Sequence, residues 1–265
     1  MKKLWIVISL IAVPILVYFG TRIVRSVSVE EDVTELKTDH FVLSYHGIYK
    51  DEAQAIADSL ESNSERIRRH LKDPPHDRIR VFIHPTQEDF NRGTGLPNSS
   101  ANGTSRGPNE FHILWTNWFN SVFPDDPAKT AVHEFTHCVQ LNILLKDAEA
   151  KWSDGDKVDF NRAFEEKFIN EYPQWFWEAI CDYEAGMVNS ISVKYAMRET
   201  PTLRSLNDSN QIYNVGYTII EYVVEKWGDD RLPDLIRTYV DTETVLGVSE
   251  LDFERGWVEF VTERY

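Results

Sequence analysis

His133-Glu134-Phe135-Thr136-His137 carries the clearest chemistry in the chain. It reads H-E-x-x-H, a pattern that puts two imidazoles and a carboxylate at the spacing used by zinc hydrolases. On a helix, residues four apart lie on one face, one turn apart. His133 and His137 can therefore grip one metal ion from the same side. Glu134 then projects beside the ion's open position, where it can take a proton from an activated water.

A catalytic zinc has three protein ligands and one open position. A third histidine in the order H-E-x-x-H-x-x-G-x-x-H would mark a metzincin. Gln140 stands where that pattern has glycine and Ile143 where it has histidine, so that route is closed. The next candidate lies in Tyr172-Pro173-Gln174-Trp175-Phe176-Trp177-Glu178-Ala179-Ile180-Cys181-Asp182-Tyr183. Pro173 can start a helix. Glu178 and Asp182, four apart, share a face of it. Glu178 can ligate the metal while Asp182 accepts the second N–H of a ligand imidazole and orients the ring. Glu165, Glu166 and Glu171 are rival carboxylates, and they read better as a solvated helix face.

H-E-x-x-H followed by Glu178-Ala179-Ile180-Cys181-Asp182 resembles the gluzincins, the zinc peptidases of thermolysin-like and aminopeptidase type, and the P-x-W-x-x-E lead-in resembles the peptidase MA-like branch. The resemblance covers about residues 110–265 with specific motifs and 39–109 only in general layout. It implies a zincin-like α+β fold with His133, His137 and Glu178 as zinc ligands. Glu134 is then the general base, and Asp182 stands behind His133. It also implies that Tyr213, in the Y-x-x-G of Tyr213-Asn214-Val215-Gly216, donates to the developing oxyanion, with Tyr217 in reserve. A substrate strand above the zinc falls on Phe111, Ile113 and Trp115, where strand addition would hold a peptide backbone. Two features depart from the family. The gap between His137 and Glu178 is longer than in typical gluzincins, so residues 146–172 form an insertion near the rim, and Ala179 stands where the MA-like branch often has glycine.

The elements that must position these residues are legible from periodicity. His40–His46, Ile79–His84 and Glu110–Trp115 read as strands. Residues 51–71, 127–145, 159–170, 174–187, 211–227, 230–241 and 249–262 read as helices. The order predicts a small mixed sheet followed by a mostly helical lobe, an α+β architecture. Residues 93–109 read as a Gly/Asn/Ser-rich loop beside the active site. They lack the G-x-x-x-x-G-K-[ST] order of a phosphate loop.

With 265 residues, 42% hydrophobic and 12% aromatic, the chain has ample material for one sizeable core. A net charge of -15 argues against a nucleic-acid partner. Cys138 and Cys181 are too few for a disulfide scaffold and read as small buried residues, with a bridge between them left open. The run from Leu4 to Phe19 spans roughly 24 Å as a helix, against a bilayer core of about 30 Å. Residues 1–25 are therefore expected to be an uncleaved transmembrane signal anchor, the alternative being a cleaved signal that leaves the domain secreted, and 26–38 a polar stalk. On that expectation residues 39–265 form an extracytoplasmic metallopeptidase domain that takes a peptide or protein substrate. Two other functions fit the same residues, a catalytically silent zincin module and a zinc hydrolase of a non-peptide amide.

Overall fold

The computed structural model describes residues 33–115, 126–153 and 157–265. Five strands form one mixed sheet: β1 (Val33–Lys37), β2 (Phe41–His46), β3 (Ile79–His84), β4 (Gly103–Ser105) and β5 (Glu110–Leu114), in the order β1-β2-β3-β5-β4. β2, β3 and β5 run parallel, and β1 and β4 close the two sides antiparallel. The helices are α1 (Lys50–His70), α2 (Gln87–Thr94), α3 (Pro127–Lys151), α4 (Lys157–Glu171), α5 (Gln174–Glu184), α6 (Ser190–Ala196), α7 (Leu203–Leu206), α8 (Ile212–Trp227), α9 (Leu232–Arg237), α10 (Thr242–Leu246) and α11 (Glu250–Arg264).

Alternation decides the strands. Phe41, Leu43 and Tyr45 on β2 and Ile79, Val81 and Ile83 on β3 are buried on one face. α1 and α3 cover that face. The edge of the Phe41 ring meets Phe135 of α3 at 5.2 Å and 82°. Truncating such a buried aromatic costs about 3–5 kcal/mol, so Phe135 is a principal rivet between helix and sheet. Beyond α3 the layers continue through α5 and α8 to α11, where Trp257 is fully buried and donates to Thr218 Oγ1 at 2.9 Å.

Most of the expected elements form within a few residues of their predicted bounds, with four differences. First, the anchor expected over residues 1–25 lies outside the described residues. Among the described residues no helix is long and apolar enough to cross a membrane. The expectation of a membrane-anchored, extracytoplasmic protein is corrected accordingly: what the structure contains is a mixed five-stranded sheet with a mostly helical second part.

Second, the polar stalk is in part a strand. Val33–Lys37 pairs with β2, Val33 opposite His46 and Lys37 opposite Val42. As an edge strand it stays largely exposed, which is why it reads as polar sequence.

Third, the loop expected at 93–109 contains β4, and the helix α2 precedes it. Thr86 caps α2 by accepting from the amide of Asp89. Strand β4 is too short to show a period.

Fourth, β5 is an inner strand. It pairs with β3 on one side and β4 on the other, and Phe111 and Ile113 are completely buried. Trp115 follows the strand and packs near Tyr49, with ring centroids 6.3 Å apart. The substrate strand assigned to Phe111, Ile113 and Trp115 is thus displaced: the edge on that side belongs to β4, among the described residues.

Candidate metal centre

α3 is built to be buried on every side. Asp126 caps its start, accepting from the amide of Ala128 at 3.0 Å, and Pro127 occupies the first turn. From Thr130 to Gln140 every residue is buried. The polar side chains among them must find partners inside the protein, since burial without one is costly. His133 and His137 lie one turn apart, with ring centroids 4.8 Å apart and planes at 83°.

α5 brings the carboxylates. Gln174, Glu178 and Asp182 recur every four residues and face α3. Oε2 of Glu178 lies 3.2 Å from Nε2 of His133 and 3.5 Å from Nε2 of His137. The other oxygen, Oε1, accepts from Gln174 Nε2 at 2.7 Å, which fixes the carboxylate so that one oxygen faces both imidazoles. Asp182 Oδ1 is 3.0 Å from Nδ1 of His133. That contact is an ion-pair approach, off the line of a good hydrogen bond. Cys181 also belongs here. His133, His137 and Cys181 form a buried group whose candidate ligand atoms lie within 4.8 Å of one another, so this centre could hold a metal ion.

α8 packs on the far side of α5 and supplies Tyr213. A β-carbon on Gly216 would lie 3.1 Å from Cα of Ala179 and 3.2 Å from Oδ2 of Asp182. Glycine at this position lets the two helices approach closely, which sets Tyr213, one turn earlier, at the mouth of the centre. Its ring is 54% exposed, and its hydroxyl makes no hydrogen bond among the described residues. Tyr217 turns away and packs on Tyr183 at 5.1 Å.

Burial and charge shape the proton affinities. Burial lowers His133, but Asp182 and Glu178 outweigh it and hold the imidazole up at about 10. Burial pushes Glu134 up to about 8, with His133 opposing and Glu178 adding. Glu178 itself is held well below the usual carboxylate range, because His137 and His133 overcome its burial. His137 is lowered by burial, and Tyr213 is raised by burial together with Glu178, Asp182 and Glu134. The tyrosine therefore keeps its proton at neutral pH and remains a donor.

These groups open into a cleft of about 910 Å³. His133, Glu134, His137, Glu178, Asp182 and Tyr213, all expected from sequence, line it together. The segment from Asn98 to Ser105, including β4, lines it as well. Among the described lining residues there is no lysine or arginine, and the only acids are Glu134, Glu178 and Asp182. Glu165, Glu166 and Glu171 are exposed on α4, away from the centre. His84 and His112 lie on β3 and β5 beside α2, outside the cleft. Cys138 and Cys181 are both free. Of the segment 146–172, expected as an insertion, residues 146–151 lengthen α3 and 157–171 form α4, whose Phe168 meets Trp177 at 5.2 Å. Trp177 in turn stacks on His137 at 4.1 Å and 19°.

Sequence reasoning missed Gln174, Cys181 and Gly103. Gln174 had a signal, since it stands four residues before Glu178. The other two had none. No protein-family model matches the chain, and no curated protein matches it.

Proposed function

We propose that the protein is a zinc-dependent metallopeptidase of gluzincin type, with His133, His137 and Glu178 as ligands. One observation carries the reading: Nε2 of both histidines converges on a single oxygen of Glu178, at 3.2 Å and 3.5 Å. Donors about 2.0–2.1 Å from a tetrahedral ion sit roughly 3.3 Å from one another, and the two contacts bracket that figure. The His₂Glu donor set also suits catalytic zinc. The buried oxygens Glu134 Oε2 and Asp182 Oδ2, which have no hydrogen-bond partner among the described residues, fit a centre arranged around a cation.

His133, His137 and Glu178 would hold the ion, which would supply Lewis acidity: a bound water would titrate at roughly 7 rather than about 15.7, and the scissile carbonyl would be polarised. Glu134 accepts the proton lost by the attacking water and hands it to the leaving amine. Burial raises the proton affinity of Glu134, which suits a group that must both take and return a proton. The Tyr213 hydroxyl donates to the oxygen on which negative charge develops. Asp182 keeps the His133 ring in place, and Gln174 does the same for Glu178.

β4 supplies the backbone edge for an extended peptide, in place of β5. Its position along a cleft that Glu178 and Tyr213 also line supports a polypeptide substrate over a compact amide. Glu134 supports catalysis over a silent module, because metal binding alone has no use for that carboxylate.

Metal analysis of the full chain combined with digestion of a peptide library tests the proposal. Stoichiometric zinc and peptide cleavage are expected, and Glu134→Gln should keep the zinc and lose nearly all hydrolysis. Full activity in that variant, or wild-type protein without bound zinc, would sink it.

A further inference from the structure

Cys181 sits in α5 beside Asp182 and is completely buried. Its Sγ lies 3.0 Å from Nδ1 of His137, 3.2 Å from Nε2 of Gln140 and 3.3 Å from the carbonyl oxygen of Trp177. Tyr172 donates its hydroxyl hydrogen to Gln140 Oε1 at 2.9 Å, so the amide group of Gln140 turns toward Cys181. Its two hydrogens go to Sγ and, at 3.0 Å, to the carbonyl of Trp177. The single thiol hydrogen has an acceptor of its own in that carbonyl, which can take two hydrogen bonds. With the thiol hydrogen there, Sγ keeps accepting capacity toward Nδ1 of His137.

We propose that Cys181 is the positioning residue of His137: its sulfur accepts the Nδ1 hydrogen, sets the tautomer and is not itself a metal ligand. The side of the ring that meets the sulfur is Nδ1, whereas Nε2 faces Glu178 at 3.5 Å. Fixing the hydrogen on Nδ1 leaves the Nε2 lone pair directed at the ion. Trp177, stacked on the ring at 4.1 Å, holds its plane. The two histidines are therefore backed differently. His133 has a carboxylate, Asp182 at 3.0 Å, while His137 has a neutral thiol. A carboxylate beside an imidazole would make it the stronger electron donor toward a bound ion.

The inference rests on the metal reading above. Its test uses the full chain, cobalt(II) as the metal probe, and the variants Cys181→Ser and Cys181→Ala. Wild-type protein should bind cobalt without a sulfur-to-cobalt charge-transfer absorption. Cys181→Ala should weaken cobalt affinity about 10–100-fold, and Cys181→Ser, which retains an acceptor, should recover most of the loss. Nitrogen NMR of the His137 ring in metal-free wild type should report a hydrogen on Nδ1, a readout that needs no variant. A charge-transfer band that disappears in Cys181→Ser would make the sulfur a ligand and overturn the proposal. Unchanged affinity in Cys181→Ala, or an Nε2 hydrogen in the wild type, would overturn it equally. Wild-type protein that binds no cobalt would instead bring down the metal reading, and the proposal with it.

Discussion

Gly103 of β4 lies directly against the carboxylate of Glu134 on α3: a β-carbon on Gly103 would collide with Oε1 of that side chain. The contact joins the wall of the cleft to the residue assigned as its base. It also explains why the wall can approach the centre at all, since only a residue without a side chain fits there. Gly103→Ala is expected to displace Glu134 or β4 by a fraction of an ångström to about an ångström. Misplacement on that scale costs about 100-fold in rate. Peptide turnover should fall by that order while zinc content and melting temperature stay near wild type. Unaltered turnover would show that the contact does not position the base.

Asp182 and Gln174 stand behind the proposed ligands His133 and Glu178. Asp182→Ala should release His133, and Gln174→Ala should free Oε1 of Glu178. Each is expected to weaken zinc affinity about 10–100-fold, read by competition with a chromophoric chelator. The effects should not add, because both residues act on one centre through Glu178 and His133. Additive losses in the double variant would mean that the two side chains work independently.

His70 on α1 and Arg66 one turn before it both contact the buried carboxylate of Glu184 on α5. The hydrogen bond to Glu184 raises the His70 pKa above its ordinary 6.5, against the effect of burial, with Glu184 and Asp229 adding charge. A raised histidine pKa means that the folded state binds the proton more tightly than the unfolded chain. Its stabilisation is complete below the unfolded value and is lost as pH rises through the folded one. His70→Gln should therefore lower the urea midpoint more at about pH 5.5 than at about pH 9.5. An equal loss at both values would remove the charged pair from the explanation.

The His84–His112 pair works in the opposite direction. Nε2 of His84 and Nδ1 of His112 are 2.8 Å apart in nearly coplanar rings, a contact that needs one donor and one acceptor. Two imidazolium ions cannot satisfy it. Burial, then His112, pull His84 down to about 4, with His46 adding and Asp89 opposing. Between about pH 6.5 and 4 the unfolded chain holds more protons than the fold, so acidification through that window destabilises the protein. Replacing His84 with Gln should flatten this part of the stability profile in thermal unfolding scans. If the wild-type and variant curves stay parallel from about pH 7 to about pH 4, the pair carries no such cost.

Much of the centre was legible because it obeys helical spacing. His133 and His137 are four apart, as are Glu178 and Asp182, and each pair needs only its own helix to share a face. Tyr213 came from the family resemblance of its Y-x-x-G, and only the structure shows that Gly216 lets α8 meet α5. The strands β2 and β3 announced themselves by alternation, which follows from the geometry of a single chain against one core. β4 did not, because a strand of three residues has no period to detect. β5 was read correctly as a strand and wrongly as the edge, since pairing partners are not encoded in the strand itself.

The amino-acid order alone determined which residues lie on common helix faces and which side-chain types are available: two imidazoles and three carboxylates. Tertiary structure decided what each of those groups meets. Gln174 steadies Glu178, Gly103 lies against Glu134, and Cys181 sits 3.0 Å from the rear nitrogen of His137. The last two contacts join segments remote in the chain through space, and no local pattern records such a distance. They depend on how closely β4, α3 and α5 pack, which side-chain volume and buried hydrogen bonding set only once the whole core has closed.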